Sequence, residues 1–225
     1  MYNLFQQNDK ELVMVNLVGD QFFKGKIIDS SSHMIILFNG ENFIYIPFRH
    51  VKDIKNEEAE TENKIVKPAD FPSIISNSLN VNLTLEGALH KARGMYTEIS
   101  VVSKKPLYGT IGEVLNDYFV FYSPIYKTMY IPITHLKWLI PYIHGEEPYG
   151  LSKDNYKMSI SDRQYKQYFS MQFAELIGRL VVINVGDKVP DIGKVETIHN
   201  NIVELRTAKE NLYINMDHIQ TIHVV

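Results

Sequence analysis

The 225-residue sequence predicts a mainly β fold: three repeated small barrel modules joined by helical connectors. Three observations predict it. The stretch Tyr130-Ile131-Pro132-Ile133-Thr134-His135-Leu136-Lys137 has an earlier copy, Tyr45-Ile46-Pro47-Phe48-Arg49-His50-Val51-Lys52, and a more diverged later one, Tyr213-Ile214-Asn215-Met216-Asp217-His218-Ile219-Gln220. Gly25, Gly109 and Gly193 precede the three histidines by 25, 26 and 25 residues, so the unit recurs every 83 to 85 residues. Each unit also reads as short apolar, β-branched runs broken by turn residues. Self-similarity at a fixed period is the mark of a repeated supersecondary unit.

In the first unit, Leu12 to Val18 is a β-branched run, with Gly19-Asp20 as its turn. Phe22 to Asp29 and Met34 to Phe38 follow, and Asn39-Gly40 signals a type I′ hairpin into Phe43 to Ile46. Pro47 has no ladder donor and ends that strand. A tight turn through Phe48-Arg49-His50 leads to a last strand, Val51 to Ile54. Five short strands with a one-turn break before the fifth is the pattern of an Sm-like or SH3-like barrel. Residues 1–10 are expected to form a short leading helix.

The acidic stretch 56–63 reads as a linker, and Asp70-Phe71-Pro72-Ser73 opens a short helix. Thr84 caps a second helix, Leu85 to Arg93, which Gly94 stops. The second unit's strands are Thr97 to Val102, Tyr108 to Val114, Tyr118 to Tyr122, Thr128 to Ile131 and Leu136 to Ile140, with a loop Ser123 to Lys127 longer than that of the first unit. After a turn-rich stretch, Ser161 caps a helix from Asp162 to Ile177, with Tyr165, Phe169, Phe173, Leu176 and Ile177 on one face. The third unit follows as Leu180 to Val185, Gly193 to Ile198, Ile202 to Leu205, Leu212 to Ile214 and Ile219 to Val224. The expected boundaries are therefore barrels at 1–55, 95–141 and 179–225, with connectors at 56–94 and 142–178. Modules this small bury too little surface alone, so they are expected to pack on one another or on a second chain.

Composition narrows the function. The chain is 45% hydrophobic and 12% aromatic, which argues for a packed core. Its formal charge is −3, and residues 53–64 alone carry five acids against two lysines, leaving the rest near neutral. Such a chain lacks the basic field that nucleic-acid affinity needs. With no cysteine, disulfides, cysteine-ligated zinc and thiol catalysis are excluded together. The start lacks the pattern of a secretory signal, and no apolar run approaches a membrane span.

His50, His135 and His218 recur, but no carboxylate stands at ligand spacing from any of them, so the expected role is to fix the turn by bonding backbone. Glu57/Glu58 and Glu146/Glu147 lie in linkers, and Gly186-Asp187-Lys188 is a hairpin turn. No phosphate-cradling loop, nucleophile elbow or metalloprotease motif is present. No catalytic or metal-binding residue, cofactor or small-molecule substrate is expected. The second unit has the densest aromatics. Tyr118 and Tyr122 face one way along their strand while Phe119 and Phe121 face the other. With one barrel face to fill, Tyr118, Tyr122, Tyr126, Trp138 and Tyr142 are the candidates for a surface that meets a partner. Gly25, Gly109, Gly193, Tyr45, Tyr130, Tyr213 and the three histidines are expected to serve the repeat itself.

The stretches IIDSSSHMIILFNGENFIYIPFRHVKDI and YGTIGEVLNDYFVFYSPIYKTMYIPITHLKWLIPY resemble the repeat units of spore coat protein B and its relatives in spore-forming bacilli. The segment VKPADFPSIISNSLN is similar to the family's connector. The resemblance implies a non-enzymatic structural protein, made in the mother-cell cytosol and assembled onto the spore coat, with other coat proteins or itself as partners. Coat protein B carries a long Ser/Lys-rich tail, whereas this sequence stops at Val225, so a role resting on that tail is not carried over. An Sm-like RNA-binding regulator is the alternative. The edge strands of small open barrels and the aromatic surface of the second unit are expected to join chains into an oligomer.

Overall fold

The computed structural model describes residues 12–57, 65–66, 83–101, 105–142, 148–151, 164–185 and 189–225. The expected leading helix, the helix opening at Asp70, the cap at Ser161, Glu58, Glu146/Glu147 and the Gly186-Asp187-Lys188 turn lie outside these residues. The described chain is mainly β, with fifteen antiparallel strands in one sheet and two α-helices.

The strands are β1 (Leu12–Leu17), β2 (Gln21–Ser30), β3 (Met34–Phe38), β4 (Phe43–Pro47), β5 (Val51–Glu57), β6 (Tyr96–Ser100), β7 (Leu107–Val114), β8 (Tyr118–Ser123), β9 (Lys127–Pro132), β10 (Trp138–Pro141), β11 (Leu180–Ile183), β12 (Asp191–His199), β13 (Ile202–Arg206), β14 (Asn211–Asn215) and β15 (Ile222–Val224). The helices are α1 (Leu85–Ala92) and α2 (Phe169–Ala174).

The sheet order is β14-β13-β12-β11-β15-β9-β8-β7-β6-β10-β4-β3-β2-β1-β5. Taken in fives, the chain repeats one order, fourth-third-second-first-fifth, three times. Each set's second strand is long and changes partner midway. In β2, Gln21 to Gly25 pair with β1, and Lys26 to Ser30 pair with β3. The recurring glycine sits at that handover. A Cβ on Gly193 would lie 2.6 Å from the Arg206 carbonyl oxygen, and one on Gly25 or Gly109 would strike the carbonyl of Phe38 or Tyr122. No other residue lets the crossing backbones approach so closely. A register shift follows the glycine each time, between Ile27 and Asp29, Ile111 and Val114, and Val195 and Thr197. Such bulges bend the strand and raise its twist.

The hydrophobic core is shared between sets. Met34, Ile36 and Tyr45 of the first pack in one cluster with Phe119, Phe121, Met129 and Ile131 of the second, beneath α1. Tyr118, Val120 and Tyr130 of the second pack with Val181, Val195, Leu205 and Ile222 of the third and with α2. A third cluster joins Val15, Leu37 and Ile44 to Trp138 and Ile140. Fully burying each large side chain is worth about 1.5–3 kcal/mol, and sharing the clusters lets small units reach that burial.

In α1, the buried residues Leu85, Ala88, Leu89 and Ala92 fall at helical spacing on one face. Thr84 Oγ1 accepts from Gly87 N–H at 3.1 Å, and Gly94 follows with φ +77°. Both ends are as expected from the sequence.

Several expectations are corrected. Strand β5 runs to Glu57, inside the stretch read as linker, because Lys55, Asn56 and Glu57 pair with β1. The Asn39-Gly40 turn is a four-residue loop in which Asn39 Oδ1 accepts from Glu41 and Asn42 N–H. Strands β8 and β9 pair out to Ser123 and Lys127, so the second unit's loop is shorter than the first unit's, not longer. Helix α2 begins at Phe169, and residues 164–168, expected inside the helix, are not helical. The chain before it bonds to the second strand set instead: Gln167 O accepts from Asn116 N–H, Lys166 O from Tyr118, and Asp117 Oδ1 from Phe169 N–H. These tertiary bonds outweigh the helical periodicity of 164–168.

Candidate functional site at the strand junctions

Two junctions hold the three strand sets together, and they have one construction. At the first, β10 pairs with β4, placing Leu139 opposite Tyr45. At the second, β15 pairs with β9, placing Ile222 opposite Tyr130. Each time the residue four after the repeat histidine faces the repeat tyrosine of the preceding set. Tyr45 and Tyr130 are 1% and 5% exposed, and Leu139 and Ile222 are fully buried.

The histidines span the same junctions. After β4, a 3-10 turn at Phe48–His50 points His50 at the second set, where Nε2 donates to the Thr134 carbonyl at 3.0 Å. His135, in the equivalent turn Ile133–His135, bonds the Asp217 main chain. Thr134 and Asp217 each precede a repeat histidine. Burial lowers the pKa of both His50 and His135, and the main-chain bond opposes it by favouring the protonated ring. Because the Asp217 bond favours the cation, its main-chain partner acts as an acceptor. The expected turn-fixing role is therefore refined: the partner backbone belongs to the next unit, 84 residues on in the first case. Across the third unit, His218 and Tyr213 stand at the end of the sheet and are exposed.

The aromatic candidates do not gather into a surface. Tyr118 is fully buried, and its hydroxyl donates to Lys166 O at 2.7 Å and Gln172 Oε1 at 3.2 Å. Trp138 is 3% exposed and meets Phe23 edge-to-face at 5.2 Å. Both belong to the core, because α2, the third strand set and the first set cover the strand faces that the sequence left open. Tyr122, Tyr126 and Tyr142 are half-buried, and they point to separate neighbours: the Tyr165 hydroxyl, the His223 ring, and Glu98 Oε2 at 2.7 Å. Burial raises the Glu98 pKa, and hydrogen bonds from Tyr142 and Tyr108 oppose it.

Sequence reading missed Leu139, Ile222, Glu98 and the acceptors at Thr134 and Asp217. The first two were open to it, since both lie four residues past a repeat histidine. Among the described residues, no three His, Asp or Glu side chains come together as a metal site, and no helix is long and apolar enough to cross a membrane.

A family model described as the YwrJ third domain matches residues 168–222, which take in α2 and the third strand set. The uncharacterized protein YwrJ of Bacillus subtilis (strain 168) is 30% identical over 226 residues, covering 99% of this chain and 98% of that protein. The chain belongs to the YwrJ family. The aligned region takes in all three strand sets of this chain and both junctions.

Proposed function

We propose that this YwrJ-family chain is a non-enzymatic structural protein of the spore coat, made in the mother cell, that works by joining protein chains. We further propose that each five-strand set is an Sm-like or SH3-like barrel module. The repeated junction carries the reading: one strand-to-strand contact, used twice with the same register, is a device for adding units. The thrice-repeated strand order, the bent second strand and its crossing glycine support the modules. The resemblance to coat protein B supports the location. An RNA-binding role would need a positive groove, and 23 basic against 26 acidic side chains argue against one.

Fractionation of a sporulating culture, with the chain followed by antibody, tests the proposal. Enrichment in the alkali- or detergent-extractable coat is expected. Recovery only from the vegetative cytosol, with salt-dependent retention of RNA on a filter, would overturn it in favour of the RNA-binding reading.

A further inference from the structure

We infer that β14 and β5, the two ends of the sheet, join head to tail between copies of this chain, with Ile54 of one copy opposite Tyr213 of the next. The inference deepens the assembly reading and rests on it.

Among the described residues, β14 and β5 have a strand on one side only. They are not two unrelated edges. Strand β14 is the fourth of its set, as β4 and β9 are, and β5 is the fifth, as β10 and β15 are. Inside the chain a fourth strand always receives the fifth strand of the following set. One end of the molecule therefore offers the socket of this contact and the other end offers its plug.

The register carries over residue by residue. The junction rule pairs the repeat tyrosine with the residue four past the next repeat histidine: Tyr45 with Leu139, and Tyr130 with Ile222. Applied once more, it pairs Tyr213 with the residue four past His50, which is Ile54. The second junction also pairs Met129 with His223, which extends to Leu212 with Lys55.

Exposure agrees. The tyrosines at the two filled sockets are 1% and 5% exposed, whereas Tyr213 is 65% exposed. The leucine and isoleucine on the two docked plugs are fully buried, whereas Ile54 is only half-buried. The histidine contact is open too. His50 and His135 each bond the main chain just before the next repeat histidine. For His218 that position is Arg49, which is exposed and stands beside β5 on a second copy. Two copies can satisfy both ends in a closed cycle of six units; otherwise the contact propagates, since a head-to-tail interface either closes or grows.

The cysteine-free chain makes the test direct. Ile54→Cys and Tyr213→Cys are prepared as separate full-length variants, mixed, and oxidised or bridged with a short thiol reagent. Residues directly opposite on paired antiparallel strands have Cβ atoms about 4.5–5.5 Å apart, within reach of such a bridge. A two-chain product is expected from the mixture and from neither variant alone. Replacing Ile54→Cys by Lys55→Cys, which faces the other side of the strand, should lose it. A mixture that stays unlinked, with the β-rich spectrum intact, overturns the contact. If the wild-type chain still self-associates by light scattering, assembly proceeds through another surface and only this inference fails. If it is also monomeric and absent from the coat fraction, the assembly reading fails with it.

Discussion

His50 Nε2 donates to the main-chain carbonyl of Thr134, 84 residues on, at 3.0 Å, tying together two turns of the same design. The bond joins neighbouring strand sets and not two ends of one turn, so its loss should loosen a junction. For His50→Ala, about 1 kcal/mol of stability is expected to go, with the carbonyl left without its donor. In a chain this size that corresponds to a fall in Tm of about 2–4 °C, measured by thermal unfolding. His218→Ala should change the Tm of the isolated chain by less.

Acid should weaken the same junctions. Burial holds the His50 and His135 pKa below the ordinary value of 6.5, so the unfolded chain takes up protons first as pH falls. Stability is then fully present above about pH 6.5 and is lost as pH drops through the lower folded values. Urea midpoints measured at pH 7.5 and 5.5 should show the loss. A His50→Gln/His135→Gln variant should show a smaller one.

Gly193→Ala tests the bend. The new methyl would stand 2.6 Å from the Arg206 carbonyl oxygen, a backbone atom held by the sheet. Overpacking of this kind costs about 1–3 kcal/mol, and the Tm should fall accordingly. Gly25→Ala and Gly109→Ala meet an equivalent carbonyl and should behave alike; a neutral result at all three would remove the crossing as the reason for the repeat glycine.

Tyr118→Phe removes one hydroxyl that serves two acceptors, Lys166 O and Gln172 Oε1. Gln172 Oε1 keeps the Lys166 N–H at 3.0 Å, so the Lys166 carbonyl is the acceptor that loses its donor, and about 1 kcal/mol is expected to go. The expected outcome is a lower Tm together with faster proteolysis around 164–168, where those bonds hold the chain before α2.

Trp138 is the sole tryptophan and is 3% exposed. Its fluorescence should be blue-shifted and resistant to iodide in the native chain. Because β10 docks on β4, quenching should rise together with opening of the first junction. Ready quenching in the folded chain would contradict the buried position.

The strand sets were legible because their signals are local. Met34 to Phe38 is a run of apolar, β-branched and aromatic residues, and the repeat histidine stands in the turn that precedes each fifth strand. What escaped depended on distant partners. Nothing near Tyr165 announces that Asp117 and Tyr118, some fifty residues away, will bond this stretch and keep 164–168 out of the helix that starts at Phe169. The same holds for Tyr118 and Trp138. Aromatics that want cover are visible in sequence, but whether the cover comes from another chain or from α2 and a neighbouring strand set is not. The junction partners were half-visible: the repeat fixed their positions, while their pairing required the sheet order.

The direction of the junctions also sets an order in time. β10 fills a place made by β4, and β15 fills one made by β9, so each socket lies earlier in the chain than the strand that completes it. A nascent chain leaving the ribosome therefore always finds its next docking site already built. Folding can run with synthesis, one set after another, and at each stage one edge of the incomplete sheet waits for strands still to be made.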